Sequence, residues 1–172
     1  MNSLIICIDR GYIDHHAEHV AAWNAALRGS AASAELAPTT QELTTQTDAA
    51  LVSASACDRY GNKAGSSEAT LGHMYLFDTT QFGYKEPPNA PRFLISNAVW
   101  RKDPPLLDAV EKRLTLLRSI VDEHNAAHQS RIHSVTIHAA VLGGWNEYPE
   151  KMQMDGINLG ARLLRQWVTA AP

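Results

Sequence analysis

The run Leu4-Ile5-Ile6-Cys7-Ile8, closed by Asp9-Arg10-Gly11, decides the fold class. An apolar run without alternation suits a strand covered on both faces, as in a parallel sheet. Asp14 stands where it can cap a helix. In the segment after it, Val20, Trp23 and Leu27 recur at spacings of three and four, and Gly29 fits the helix C-terminus. A strand, a turn and a helix in this order open an α/β fold.

The rest of the chain extends that pattern. Ser30 to Thr39 is rich in Ala and Ser, contains Pro38, and reads as a surface connection. Thr40 to Tyr60 reads as a second helix, with Leu43, Thr47, Ala50, Leu51, Ala54 and Cys57 on one stripe and Gly61 ending it. Gly61 to Ser67 is a loop. Met74 to Phe77 is short enough to be a strand or part of a helix starting near Ser66. Gly83 to Pro91 holds three prolines and a glycine and reads as a loop. Arg92 to Val99 is a second strand centred on Phe93, Leu94 and Ile95. Asp103 and Pro104 start a helix, by cap and by the fixed φ of proline. Its stripe of Leu106, Leu107, Val110, Leu114, Leu117 and Val121 is the clearest in the sequence and carries it to about Ala127. Arg131 to Leu142 is a third strand, broken by Gly143-Gly144. Asp155 opens a last helix with Ile157, Leu163, Leu164 and Trp167. Strands alternating with helices predict one domain over residues 1–172, a three-layer α/β sandwich with a mainly parallel central sheet.

Composition narrows the function classes. The chain has 172 residues, 45% hydrophobic and 19% charged, with a formal net charge of -3. Such a chain can bury a core and is not mainly disordered. No apolar run is long enough to cross a membrane. The first residues lack the basic region of a signal peptide. Cys7 and Cys57 form no C-x-x-C pair and read as reduced thiols, so the expected compartment is the cytoplasm. The negative charge argues against nucleic acid as the main partner. Self-association is compatible with everything in the sequence.

Ligands of open parallel sheets bind beyond the carboxyl ends of the strands. Those ends offer Asp9, then Asn97, Trp100 and Arg101, then His138 with Gly143, Gly144, Trp145, Asn146 and Glu147. Asp9 and His138 are the candidates for acid–base work, with Glu147 as a further carboxylate. Asn97, Trp100, Arg101 and Trp145 are candidate ligand contacts, and Gly143-Gly144 would let backbone approach a ligand. His15 and His19 lie one turn apart in Asp14-His15-His16-Ala17-Glu18-His19, a spacing that can hold one metal ion. His138 is a candidate third ligand. His124 and His128, in a last helical turn, read as complements to the helix dipole. His133 and His138 are five apart on a strand and face opposite sides. The chain has no G-x-S-x-G elbow, no G-x-x-x-x-G-K-S/T loop and no G-x-G-x-x-G turn.

Two of these strand ends resemble those of zinc-dependent N-acetylmuramoyl-L-alanine amidases. Ile8-Asp9-Arg10-Gly11-Tyr12 is similar to the Asp-Pro-Gly-His-Gly end of that family's first strand. Thr136-Ile137-His138-Ala139-Ala140 is similar to its Ser-Ile-His-Ala-Asn strand end, and Arg118 and Asn125 lie on the helix before it. The resemblance implies zinc held by the histidines of both motifs and an intervening glutamate, with a late glutamate assisting catalysis. Only His138 carries over as a matched residue. Tyr12 stands at the first zinc histidine's position, which His15 or His16 would have to replace. Glu68 is the residue available for the intervening ligand.

Two classes of function follow. One is a metal-assisted, amidase-like hydrolase, in which zinc polarises a carbonyl and activates water. The other is a non-catalytic protein: a binder of a small or peptide-like molecule, or an inhibitor or accessory protein of bacterial or phage type. Its motivation is the lack of a complete catalytic motif beside the loop aromatics Tyr84, Trp100, Trp145 and Tyr148.

Overall fold

A computed structural model describes residues 1–37, 47–53, 74–81, 91–97 and 105–169. Six strands form one sheet: β1 (Ser3–Asp9), β2 (Ala32–Ala37), β3 (Ala49–Ser53), β4 (Met74–Asp78), β5 (Phe93–Asn97) and β6 (Ser134–His138). Their order is β2-β1-β6-β3-β5-β4. Every pairing is parallel except β4 with β5. The described helices are α1 (His16–Leu27), α2 (Leu106–Ala127) and α3 (Glu150–Thr169). The protein is therefore an α/β sandwich around a mainly parallel sheet. The continuous apolar runs of β1, β3 and β5 form strands because both faces are buried, and alternation is not required.

Side chains on one strand alternate between faces, so the register assigns every residue a side. Leu4, Ile6 and Ile8 share a face with Leu51, Ile95 and Ile137, and all of them join one core cluster with Trp23, Leu117 and Ile157. This is the helix side of the sheet. Both α1 and α2 pack on α3, which sits between them. Gly160 makes that contact close: a Cβ there would stand 2.6 Å from Trp23 Cη2. Each aliphatic side chain taken fully from water contributes roughly 1.5–3 kcal/mol.

The other face is also buried but differs in chemistry. Cys7, Asp9, Ala50, Val52, Leu94, Ser96, Thr136 and His138 lie there, at most 8% exposed. None of them belongs to the helix-side cluster. Thr47 and Thr136 share a hydroxyl hydrogen bond of 2.7 Å on this side. Burial on both faces is the condition for a three-layer sandwich.

Several expectations need correction. The segment read as a surface connection contains β2, a strand hidden in Ala32-Ser33-Ala34-Glu35-Leu36-Ala37. The helix expected over Thr40 to Tyr60 is interrupted by β3, which pairs with β5 and β6. Sheet pairing overrides a weak helical stripe of Ala, Ser and Thr, because the stripe has little apolar area to bury. Met74 to Phe77 is strand, at the antiparallel edge. The last helix starts at Glu150, a turn before Asp155. The first starts at His16, with His15 rather than Asp14 at the cap and no side-chain capping bond. The remaining helix residues expected over 40–60, the loop at 61–67, Asp103 and Pro104 lie outside the described residues.

Candidate functional site

In strand order the strand after β1, β2, lies on one side, and the strand after β3, β4, lies on the other, beyond β5. The carboxyl ends of β1, β6 and β3 thus lie at the topological switch point, the place where ligands of open parallel sheets bind. Asp9 ends β1 and His138 ends β6. Cys7 is the register partner of both His138 and Glu35. Alternation puts Asp9, two residues beyond Cys7, on the same face. Four groups able to exchange protons therefore crowd one side of three adjacent strand ends.

Asp9 is 2% exposed and His138 8% exposed. One Asp9 oxygen, Oδ1, accepts the Gly11 N–H at 2.7 Å. This is a local turn in which the side chain holds the backbone two residues on. The Asp9 carbonyl accepts from Tyr12 N (3.2 Å) and Ile13 N (3.0 Å), which tightens the same turn. His138 Nε2 is buried and makes no hydrogen bond among the described residues. Burial lowers the pKa of His138 below that of an ordinary histidine, against the opposing pull of the Asp9 carboxylate. Burial therefore biases the imidazole toward its neutral form, on the same face as the Asp9 carboxylate. Cys7 Sγ lies 3.9 Å from Glu35 Oε1. Burial, and then Glu35 and Asp9, push the Cys7 thiol up to about 12. It is a protonated thiol and a poor nucleophile.

The segment from His138 to α3 builds the rim. Residues Ala139–Val141 and Trp145–Glu147 are short 3-10 turns. Gly143 packs against α2, where a Cβ would stand 2.6 Å from Leu106 Cδ1. It serves close packing, and its neighbour Gly144 lies under the Glu147 side chain. Asn146 ties this rim to the β1–α1 loop. Its Nδ2 donates to Tyr12 O at 2.9 Å, and its Oδ1 accepts from Asp14 N at 3.0 Å. Glu147 is exposed on the rim, and Tyr12, 62% exposed, stands in the loop facing it.

The structure separates the other candidates. Asn97 is buried on the helix side of the sheet, where its Nδ2 donates to Val141 O at 2.8 Å. It anchors the loop from below and does not share the face of Asp9 and His138. Trp145 is a core residue, 2% exposed, whose indole N–H donates to Ala139 O at 2.8 Å. It stands edge-on to His19 and Trp23, with ring centroids 5.2 and 6.3 Å away. Tyr148 packs partly buried against the same core. Trp100, Arg101, Tyr84 and Glu68 lie outside the described residues.

His15 and His19 are divided by burial. His15 is exposed, and His19 is fully buried with Nε2 2.7 Å from Gln153 Oε1. Gln153 Nε2 donates to Tyr148 O, so Oε1 must accept, and His19 carries its proton on Nε2. Burial lowers the His19 pKa, with the Gln153 bond opposing. One ring nitrogen of His19 is thus engaged in a core hydrogen bond, while Nδ1 is buried without a partner among the described residues. Among the described residues no three His, Cys, Asp or Glu side chains converge to hold a metal ion. Of the zinc set that the amidase resemblance implies, the described residues contain His138 and the alternatives His15 and His16, while Glu68 lies outside them.

Sequence reasoning missed Glu35 and Gln153. Glu35 is hidden because the composition of β2 points to a surface connection, although its period-two pattern of small and polar residues is a strand signal. Gln153 gave none, since its role depends on α3 packing against α1. No protein family, curated protein or solved structure matches the chain.

Proposed function

We propose that this domain binds a small polar molecule in the crevice over the carboxyl ends of β1 and β6, with Asp9 and His138 as its recognition groups. The observation that carries this is His138 Nε2, buried on the same face as the Asp9 carboxylate and without a hydrogen-bond partner among the described residues. Leaving such a group unpaired costs about 1–3 kcal/mol. A ligand's polar atom would recover that cost, and native folds keep few such groups without a reason. Asp9 only accepts, and a neutral imidazole has one donor and one acceptor. A ligand with hydroxyl, amide or amine groups suits both, whereas a second carboxylate would face Asp9. The exposed Tyr12 ring offers a flat surface beside them. The test is a ligand-observed NMR screen of small hydroxylated and amide-bearing molecules. Binders should lose affinity on the order of tenfold, the worth of one charge-assisted hydrogen bond, in Asp9→Asn and His138→Ala. Binders indifferent to both substitutions, or a screen without binders, would sink the reading.

The second reading is hydrolysis at the same place, favoured by an imidazole biased toward its neutral form on the same face as a carboxylate. His138 would relay a proton, Asp9 would orient it, and Glu147 on the rim would serve as a further base. Turnover of an ester and amide panel, with chelator and with added zinc, checks it. Activity lost in His138→Ala but untouched by chelator supports metal-free chemistry. Activity that needs zinc supports the amidase-like reading, and no turnover under either condition removes hydrolysis.

A further inference from the structure

β2 stands at one end of the strand order, with β1 on its inner side. An edge strand presents a row of outward N–H and C=O groups on which another chain can add a strand. Proline or lysine in the strand commonly blunts such an edge, and Ala32-Ser33-Ala34-Glu35-Leu36-Ala37 holds neither. The backbone groups alternate in direction along the strand. Leu4 N–H donates to Ala31 O at 3.2 Å, so Ala31, Ser33 and Glu35 turn their groups to β1. Ala32, Ala34 and Leu36 turn theirs outward. Side chains from beside the sheet meet the outward groups of Ala32 and Ala34.

Asn24 of α1 makes both bonds at Ala34. Its Oδ1 accepts from Ala34 N at 2.8 Å and its Nδ2 donates to Ala34 O at 2.9 Å. These are the two bonds that a residue of an added strand would exchange with Ala34. Ser30, in the connection from α1, serves Ala32. Its Oγ accepts from Ala32 N at 3.2 Å and donates to Leu27 O at 2.6 Å, which ties that position to the last turn of α1. The helix itself is seated by its buried residues His19, Trp23 and Leu27, whereas Asn24 is exposed. The carboxamide is therefore not needed to hold α1 on the core.

We propose that Asn24, with Ser30, closes the outer edge of β2 to strand addition and keeps the sheet from extending into a second copy of this chain. Two β2 edges related by a two-fold axis would run antiparallel, each copy offering the other its outward groups. While the carboxamide sits on Ala34, an incoming strand must displace two formed hydrogen bonds before it makes its own. The guard is independent of Asp9 and His138.

The test is light scattering after size exclusion of the whole protein, from micromolar to millimolar concentration, for wild type, Asn24→Ala and Asn24→Ala/Ser33→Lys. Asn24→Ala should self-associate beyond the wild type, at a concentration at least about tenfold lower, the effect of one or two net hydrogen bonds. Ser33 is exposed on β2, so a lysine there is tolerated and would meet its like across the two-fold strand pair. The double variant should return to the wild-type mass. An Asn24→Ala variant that keeps the wild-type mass throughout, or one whose association survives Ser33→Lys undiminished, would overturn the proposal. Amide exchange of the wild type gives a readout that needs no variant. The Ala34 amide should exchange more slowly than an unstructured one, and exchange at the unstructured rate would equally overturn the guard.

Discussion

His138 and His19 are both buried and both held below the ordinary histidine pKa, His138 with Asp9 opposing and His19 with Gln153 opposing. In the unfolded chain each takes up a proton near pH 6.5. Around and below that pH the unfolded state binds more protons, so stability falls as pH falls from about 6.5 toward the folded pKa values. Above about 6.5 the contribution is complete. Unfolding free energies from urea titrations between pH 7.5 and about 5 should therefore fall, by up to about 1.4 kcal/mol per pH unit for each histidine. His138→Gln should remove part of that slope, and an unchanged slope would mean His138 titrates alike folded and unfolded. Cys7 gives a second check. With its thiol at about 12, the thiolate is about one part in ten thousand at pH 8. Peptide mapping after iodoacetamide treatment, which tells Cys7 from Cys57, should find Cys7 unlabelled in the native protein and labelled in urea. Rapid native labelling would contradict its burial against Glu35. At this scale the candidate site was partly legible. A polar residue closing an apolar strand, as Asp9 and His138 do, marks the rim directly. Whether a histidine points into core or crevice depends on what lies opposite, and nothing local distinguishes His19, bonded to Gln153, from its neighbours His15 and His16.

At the scale of elements, close packing carries the load. Gly160→Ala would press a methyl to 2.6 Å from a tryptophan ring that is itself fully buried. The substitution should destabilise by about 1–3 kcal/mol although alanine is the better helix former. Asn146 makes two hydrogen bonds that hold the β1–α1 loop to the β6–α3 loop. Asn146→Ala should cost only about 1 kcal/mol, because the pair is exposed, yet loosen the rim enough to weaken any ligand of the crevice. A thermal melt and a titration on the same variant would separate the two effects. The elements differ in how clearly the sequence shows them. The helix over 106–127 announces itself by its stripe, since a long amphipathic pattern has few alternatives. β2 and β3 do not. Ala32 to Ala37 is too small and polar to look like a strand, and Ala49 to Ser53 sits in a segment whose weak helical period competes with its strand character. Both exist because the neighbouring strands β1, β5 and β6 supply their hydrogen bonds.

Across the whole molecule, the sheet has an apolar face under three helices and a face on which Cys7, Asp9, Thr136 and His138 are buried. β2 and β4 are edges, while β1, β6 and β3 are paired on both sides. Amide exchange should accordingly be slowest in β1, β6 and β3 and fastest in β2 and β4. The α/β class follows from the alternation of strand and helix. The order of strands does not, because β6 inserting between β1 and β3 is a pairing of segments far apart in the chain. That insertion is what sets Asp9 beside His138. The most direct test of the account is the two-bond ¹H–¹⁵N spectrum of the His138 ring, recorded free and with the tightest-binding molecule from the small-molecule screen. The account predicts a neutral imidazole at pH 6 whose Nε2 resonance moves on binding. A ring already protonated at pH 6, or an Nε2 resonance unmoved at saturation, would contradict a site built on Asp9 and His138.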